Sequence, residues 1–173
     1  MQRSRNTVEE IRFECYRTDK RLILFLPLLL LFIGIFTRWV SGSPLATLHY
    51  LEVRDRVPQS WIMVILFSIF YIVAGLSLGV ALGSRFCSCR EKKYQGAMWF
   101  VISLALGYAW YPLFFSARLF LVSIIVSTLC LFTGICATVC FAEVSKLSFF
   151  LAIIYDCFLI YLLLLNLQIF FEI

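Results

Sequence analysis

Five apolar segments occupy most of this chain, and each is about as long as a lipid bilayer is thick. A helix needs about 20 apolar residues to cross the hydrocarbon core of a membrane. Short polar stretches separate the segments, which lie at about residues 22–40, 61–82, 98–115, 119–141 and 147–171. The sequence therefore predicts an all-α integral membrane protein, folded as a bundle of five transmembrane helices.

The composition excludes a water-soluble globule. The 173 residues are 62% hydrophobic and 14% charged, whereas soluble domains are about 45–50% apolar and about 25% charged. The charges lie between the apolar segments, so the net charge of +5 gives no reason to expect a nucleic-acid partner; membrane lipids are the expected surroundings. We predict a polar, basic arm over residues 1–21, followed by one five-helix domain over residues 22–173.

The basic residues are distributed unevenly between the two sides of the predicted bundle. Five spans place the N-terminal arm, the second loop and the fourth loop on one side, which holds eleven Lys and Arg residues against four on the other. Basic residues accumulate on the cytoplasmic side of inserted membrane proteins. The N-terminus is therefore predicted on that side and the long first loop, about residues 41–60, on the opposite side.

Few residues suggest chemistry. The single histidine, His49, cannot form a metal site alone, and we interpret it as a loop residue. Cys87 and Cys89 lie beside basic residues; they are ordinary loop thiols, lipid attachment sites or soft-metal ligands. Asp156 lies well inside the fifth segment, where a carboxyl group is costly unless it has a partner or faces a cavity. We predict no catalytic residues, no metal site and no required cofactor.

Glycines at four-residue spacing mark one face of the second segment. Gly75, Gly79 and Gly83 would let another helix approach closely in lipid. We favour packing within the molecule, and a homodimer contact is the alternative.

The third segment ends in the stretch Ala109–Arg118, which combines a tryptophan, a proline, a Phe-Phe pair and an arginine. This stretch resembles the Trp-Ala-Trp-x-Pro-x-Phe-Phe-Gly-Ala-Arg motif of the translocator protein family, also called tryptophan-rich sensory proteins (TspO/MBR) or peripheral benzodiazepine receptors. Tyr108 replaces the first Trp and Ser116 replaces Gly. Weaker similarities extend the resemblance over about residues 30–170, from an arginine that closes the first segment to Asn166 in the fifth.

The resemblance implies a five-helix receptor or transporter that binds a porphyrin, heme or a cholesterol-like sterol between its helices. It also favours the mitochondrial outer membrane, with the endoplasmic reticulum or another membrane as alternatives. Aromatic faces suit a flat apolar ligand. The residues expected to bind it are Trp61, Phe67, Tyr71, Trp110, Phe114, Phe158, Leu162 and Leu165. For Trp61 and Trp110, anchoring at the membrane interface is the alternative role.

Several departures from the family pattern leave other functions open. Phe158 and Val122 stand where the family has tryptophan, and the C-terminal sterol pattern is missing, although residues 48–54 satisfy its loose form. One alternative is a structural or regulatory membrane protein that kept the fold and lost the ligand. Another is an enzyme that degrades porphyrin, an activity attributed to the family; the sequence offers no cofactor loop or catalytic triad for it, and we predict no enzyme.

Overall fold

The computed structural model describes residues 20–41, 60–84 and 90–172, which form five helices. In chain order these are α1 (Lys20–Ser41), α2 (Ser60–Gly83), α3 (Arg90–Phe115), α4 (Phe120–Ala142) and α5 (Lys146–Glu172). All five are long and apolar enough to cross a membrane, and the part described contains no strand. The predicted fold class, an all-α five-helix membrane bundle, is confirmed.

The start of α3 is where the predicted and observed bounds differ most. The helix begins at Arg90 and not at about residue 98, because hydropathy marks only the part that suits lipid. The polar first turns remain helical: Glu91 lies near the positive end of the helix dipole, Lys92 pairs with Glu143, and Lys93 Nζ donates to the carbonyl of Ser84 at 2.9 Å. Several predictions concern residues that the structure does not describe. These are the polar arm before Lys20, the loop residue His49, the thiols Cys87 and Cys89, and the sterol-like pattern at residues 48–54.

Around the bundle the helices follow the order α1, α2, α5, α4, α3, and α3 closes the ring with lighter contacts to α1 and α2. The pairs α3–α4 and α1–α2 share the most extensive contacts, as expected for antiparallel neighbours in sequence. Helix ends therefore gather in two groups. We call them the Arg118 end, after the α3–α4 turn, and the Glu143 end, after the α4–α5 turn.

The glycine face of α2 packs against α1. A Cβ atom on Gly75 would lie 2.3 Å from the Cα of Pro27, and one on Gly79 would lie 3.0 Å from the carbonyl oxygen of Leu22. Glycine is needed here because backbone, not a movable side chain, occupies the space. The predicted packing within the molecule is confirmed for these two glycines.

The Ala109–Arg118 stretch forms the last turns of α3 and the exit from it. Pro112 lies inside the helix, and its carbonyl accepts hydrogen bonds from the backbone N–H groups of Ser116 and Ala117, both at 2.9 Å. Arg118 then adopts a left-handed backbone with φ of 56°, which redirects the chain into α4.

Candidate functional site

A continuous group of aromatic rings fills the bundle core between α2, α3 and α5. On α2 the ring-bearing residues Phe67, Phe70 and Tyr71 recur at the three- and four-residue spacing that places side chains on one helix face. All three are buried. With the rings that meet them, they form what we call the aromatic cluster: Phe67, Phe70, Tyr71, Trp110, Tyr111, Phe114 and Phe158.

Phe67 lies at the centre of this cluster. Its ring stacks on Trp110 with 6.1 Å between centroids, meets Phe158 edge-on at 5.5 Å and meets Tyr111 edge-on at 5.9 Å. These separations are within the range in which aromatic pairs attract one another. One side chain of α2 therefore connects to α3 and α5 by ring contacts alone.

Trp110 is fully inside the bundle, with 2% of its surface exposed. It lies between Phe67 and Phe114, and its ring stacks on Phe114 at 5.2 Å. The interface-anchor alternative is therefore wrong for Trp110. The side chain of Trp61 lies outside the described residues.

The structure brings five of the eight predicted ligand-binding residues into direct ring contact: Phe67, Tyr71, Trp110, Phe114 and Phe158. Phe158 is the least buried member; it packs against Phe70 with 4.4 Å between centroids. Leu162 and Leu165 are buried in the same continuous core.

Beside the cluster, a cavity of about 40 Å³ opens between α1, α2 and α3 towards the Arg118 end. Gly34, Thr37 and Arg38 line it from α1, Phe67, Ser68 and Tyr71 from α2, and Tyr111 from α3. Gly34 makes room for the Tyr71 ring, since a Cβ there would lie 2.4 Å from it.

Two hydrogen-bonding groups of the cluster have no partner within the described ranges. Trp110 Nε1 and the Tyr111 hydroxyl are both buried and unbonded. Native structures contain few such groups, and each calls for a reason. A polar atom of a bound molecule is one reason consistent with an aromatic setting.

A second, polar group of residues lies where α3, α4 and α5 meet, and we call it the polar junction: Ser103, Cys130, Thr138, Tyr155 and Asp156. Ser103 Oγ donates to the carbonyl of Cys130 at 2.8 Å and lies 2.9 Å from the Tyr155 hydroxyl. Cys130 Sγ donates to the carbonyl of Ser103 at 3.1 Å. These bonds connect all three helices.

Asp156 is buried in this junction, with 8% of its surface exposed. Thr138 Oγ1 donates to its Oδ2 at 2.7 Å, while Oδ1 has no hydrogen-bond partner in the described part of the chain. Oδ1 packs against Gly134, where a Cβ would lie 2.6 Å from it. Of the two surroundings predicted for this intramembrane carboxyl group, a partner or a cavity, the described residues provide a partner, Thr138.

Several residues contribute to these sites although the sequence did not predict a role for them there. Tyr108 stacks on Tyr71 at 5.0 Å and donates to the carbonyl of Leu30 at 2.7 Å, which ties α3 to α1. Phe70 stacks on Tyr155 at 4.8 Å and joins the cluster to the junction. Helical spacing from Phe67 points to Phe70, but no local signal identifies the Tyr108 contact across 78 residues.

Over residues 20–41, 60–84 and 90–172 no three His, Cys, Asp or Glu side chains come together as a metal site. The aromatic cluster offers ring faces and two hydrogen-bond donors, a combination that suits an apolar ligand carrying a few acceptor atoms.

Comparison with known proteins identifies the family. No curated protein and no solved structure matches the chain. The sequence model of the TspO/MBR family matches residues 24–171, a range that includes α2, α3 and α4, nearly all of α1 and α5, and both groups of core residues described above. The chain is an integral, multi-pass membrane protein and belongs to the TspO/MBR family.

Proposed function

We propose that this protein binds a flat hydrophobic ligand, a porphyrin or a cholesterol-like sterol, against the aromatic cluster within the bundle. Family membership supports the proposal, and one structural observation carries it. The cluster combines ring faces from α2, α3 and α5 with two buried donors, Trp110 Nε1 and the Tyr111 hydroxyl, that have no partner in the described residues.

The ring faces account for affinity and the donors for orientation. A bound ring system would replace ring contacts within the protein by ring contacts with the ligand, each worth about 0.5–1.5 kcal/mol beyond its buried area. An acceptor atom of the ligand would satisfy a donor that is otherwise buried without a hydrogen bond, which costs about 1–3 kcal/mol.

Binding on this proposal requires the rings to separate. Pockets for small molecules usually measure about 300–1,000 Å³, whereas the cavity beside the cluster measures about 40 Å³. Rings such as Phe67 and Phe158, 5.5 Å apart, occupy the space that a ligand would take. Contacts between rings are not directional in the way that hydrogen bonds are, so the cluster is the part of the core best able to rearrange.

The test is a titration of the purified protein in detergent with protoporphyrin IX and with cholesterol, side by side. Quenching of the fluorescence of the four tryptophans measures porphyrin binding. Retention of radiolabelled cholesterol measures sterol binding. We expect saturable binding of at least one ligand. Phe67→Leu and Phe158→Leu together should weaken it by about tenfold, the equivalent of about 1.4 kcal/mol.

Phe132→Leu is the matched control, because Phe132 is 62% exposed on the outer face of α4 and belongs to neither core group. It should bind as the unaltered protein does. Equal weakening by Phe132→Leu and the cluster variants, or absence of saturable binding, contradicts the proposal. Loss of porphyrin absorbance during the titration, dependent on light and oxygen, would indicate turnover.

The filled core also supports a second candidate function, a structural or regulatory role without a ligand. Because the rings fill the core, the bundle is complete without a ligand, as expected for a structural or regulatory protein that kept the fold and lost the ligand. Neither protoporphyrin IX nor cholesterol would then bind. Trp110→Ala with Phe158→Ala would leave partner proteins captured from native membranes unchanged, provided that the variant folds.

A further inference from the structure

We propose that the cavity between α1, α2 and α3 binds the anionic group of the ligand, with Arg38 and Tyr111 as its hydrogen-bond donors. This inference rests on the proposed function and adds a selection rule to it: an acidic ligand binds more tightly than its neutral counterpart, whatever its ring system.

The cavity wall carries hydrogen-bond donors that are not in use. Of the polar side chains that line it, Thr37 already donates to the carbonyl of Ile33 at 2.9 Å and Ser68 to that of Val64 at 2.8 Å. The Tyr111 hydroxyl is buried and unbonded in the described part of the protein. Arg38 brings up to five N–H donors and no acceptor. The wall therefore has unused donors at Arg38 and Tyr111, which an acceptor group would satisfy.

Charge gives a second reason. Arg38 is partly buried, and none of the carboxylates of Glu91, Glu143 and Asp156 pairs with it. Glu91 and Glu143 lie at the Glu143 end of the bundle, opposite to Arg38, and Asp156 lies in the polar junction. A partly buried cation gains most from a counter-charge that forms two parallel hydrogen bonds with its planar fork.

The size and position of the cavity suit a small polar group. At about 40 Å³ it is far smaller than the roughly 300–1,000 Å³ of pockets that enclose a whole ligand, so it suits a carboxylate and not a ring system. Phe67 and Tyr71 line the cavity and also belong to the aromatic cluster. A ligand whose ring lies against the cluster would therefore have its acidic group within reach of Arg38.

Two ligand pairs test the selection rule, each an acid with its uncharged counterpart: protoporphyrin IX with its dimethyl ester, and cholesteryl hemisuccinate with cholesterol. The unaltered protein should bind each acid at least about tenfold more tightly, as charge-assisted hydrogen bonds provide. Arg38→Gln should remove most of that preference and leave the neutral ligands unchanged. Tyr111→Phe, which removes only the hydroxyl group, should weaken the acids by about threefold.

Arg118→Gln is the matched control, because Arg118 is an exposed arginine at the same end of the bundle and does not line the cavity. Equal affinities within each pair, a preference confined to one ring system, or equal losses from Arg38→Gln and Arg118→Gln would overturn the inference. All three outcomes leave the proposed function standing if the neutral ligands bind. Failure of all four ligands to bind the unaltered protein counts against the proposed function itself.

Discussion

The aromatic cluster and the polar junction touch through Phe70 and Tyr155, yet different forces hold them together. Rings meeting at various angles make up the cluster, whereas short hydrogen bonds across α3, α4 and α5 make up the junction. A hydrogen bond in lipid has a narrow geometry and no water to replace a lost partner, while ring contacts tolerate sliding. On our proposal, the junction is the fixed part of the core and the adjacent cluster is the part that opens for a ligand.

The largest expected loss of stability comes from removing the only hydrogen-bond partner that the structure shows for the Asp156 carboxyl group. Thr138→Val keeps the shape of the side chain and leaves that carboxyl group buried without a donor, which should cost about 3 kcal/mol of unfolding free energy. Unfolding by titration with sodium dodecyl sulfate, followed by far-UV circular dichroism, measures it.

Thr128→Val is the control for that substitution. Thr128 is exposed on the same helix and bonds only to the carbonyl of Ile124 within its own helix, so its loss should be small. Adding Asp156→Leu to Thr138→Val should recover most of the stability, because replacing both partners by apolar residues removes the carboxyl group that has no hydrogen-bond donor. A double variant no more stable than Thr138→Val would refute this account of the junction.

A smaller loss is expected from filling the space that Gly134 leaves for Asp156. In Gly134→Ala the new methyl group meets Asp156 Oδ1 at 2.6 Å and Leu159 Cδ1 at 3.2 Å, and overpacking of this kind should cost about 1–2 kcal/mol. Gly107→Ala provides the contrast, since its methyl group would meet only Cys130 Sγ, at 3.7 Å. In the same unfolding assay, Gly107→Ala should be as stable as the unaltered protein or slightly more stable, because alanine has a better helix propensity than glycine. Equal destabilisation by Gly134→Ala and Gly107→Ala would show that the space beside Asp156 is not what requires glycine at position 134.

Variants of the aromatic cluster should lower ligand affinity more than they lower stability. Phe67→Leu keeps a large apolar side chain and should cost less stability than Thr138→Val, yet weaken ligand binding by several-fold because a ring face is lost. Gly134→Ala and Thr138→Val should show the reverse, with lower stability and nearly unchanged affinity at temperatures where they remain folded. Affinity losses that follow stability losses in both regions would remove the distinction between them.

The smallest effect concerns the hydrogen bonds between α2 and α5. Ser77 Oγ donates to the carbonyl of Ser148 at 3.0 Å, and Ser148 Oγ donates to that of Ser77 at 2.8 Å. Single hydrogen bonds between membrane helices contribute about 0.6 kcal/mol on average, so Ser77→Ala should lose about that much. Ser68→Ala removes a bond within α2 only and serves as the reference; a loss at Ser77 no larger than at Ser68 would show that this contact adds no stability.

Much of the site followed from the sequence because helical spacing and side-chain type are local. Phe67 and Tyr71 share a face of α2 at four-residue spacing, and the motif around Trp110 and Phe114 pointed to the same core. The prediction that Asp156 has a partner or faces a cavity followed from the cost of a carboxyl group in lipid. Local patterns could not show that this partner is Thr138, since the bond depends on how α4 and α5 rotate against each other.

By itself the sequence determined the five spans, the all-α class and the family resemblance, because apolar length and motif identity do not depend on packing. Only the tertiary structure showed that Trp110 lies inside the core rather than at the membrane interface. It also placed Arg38 and Tyr111, 73 positions apart in the chain, on one cavity. The reason is geometric: hydropathy reports which segments enter the membrane, whereas contacts between helices depend on their rotation and on where glycine allows close approach.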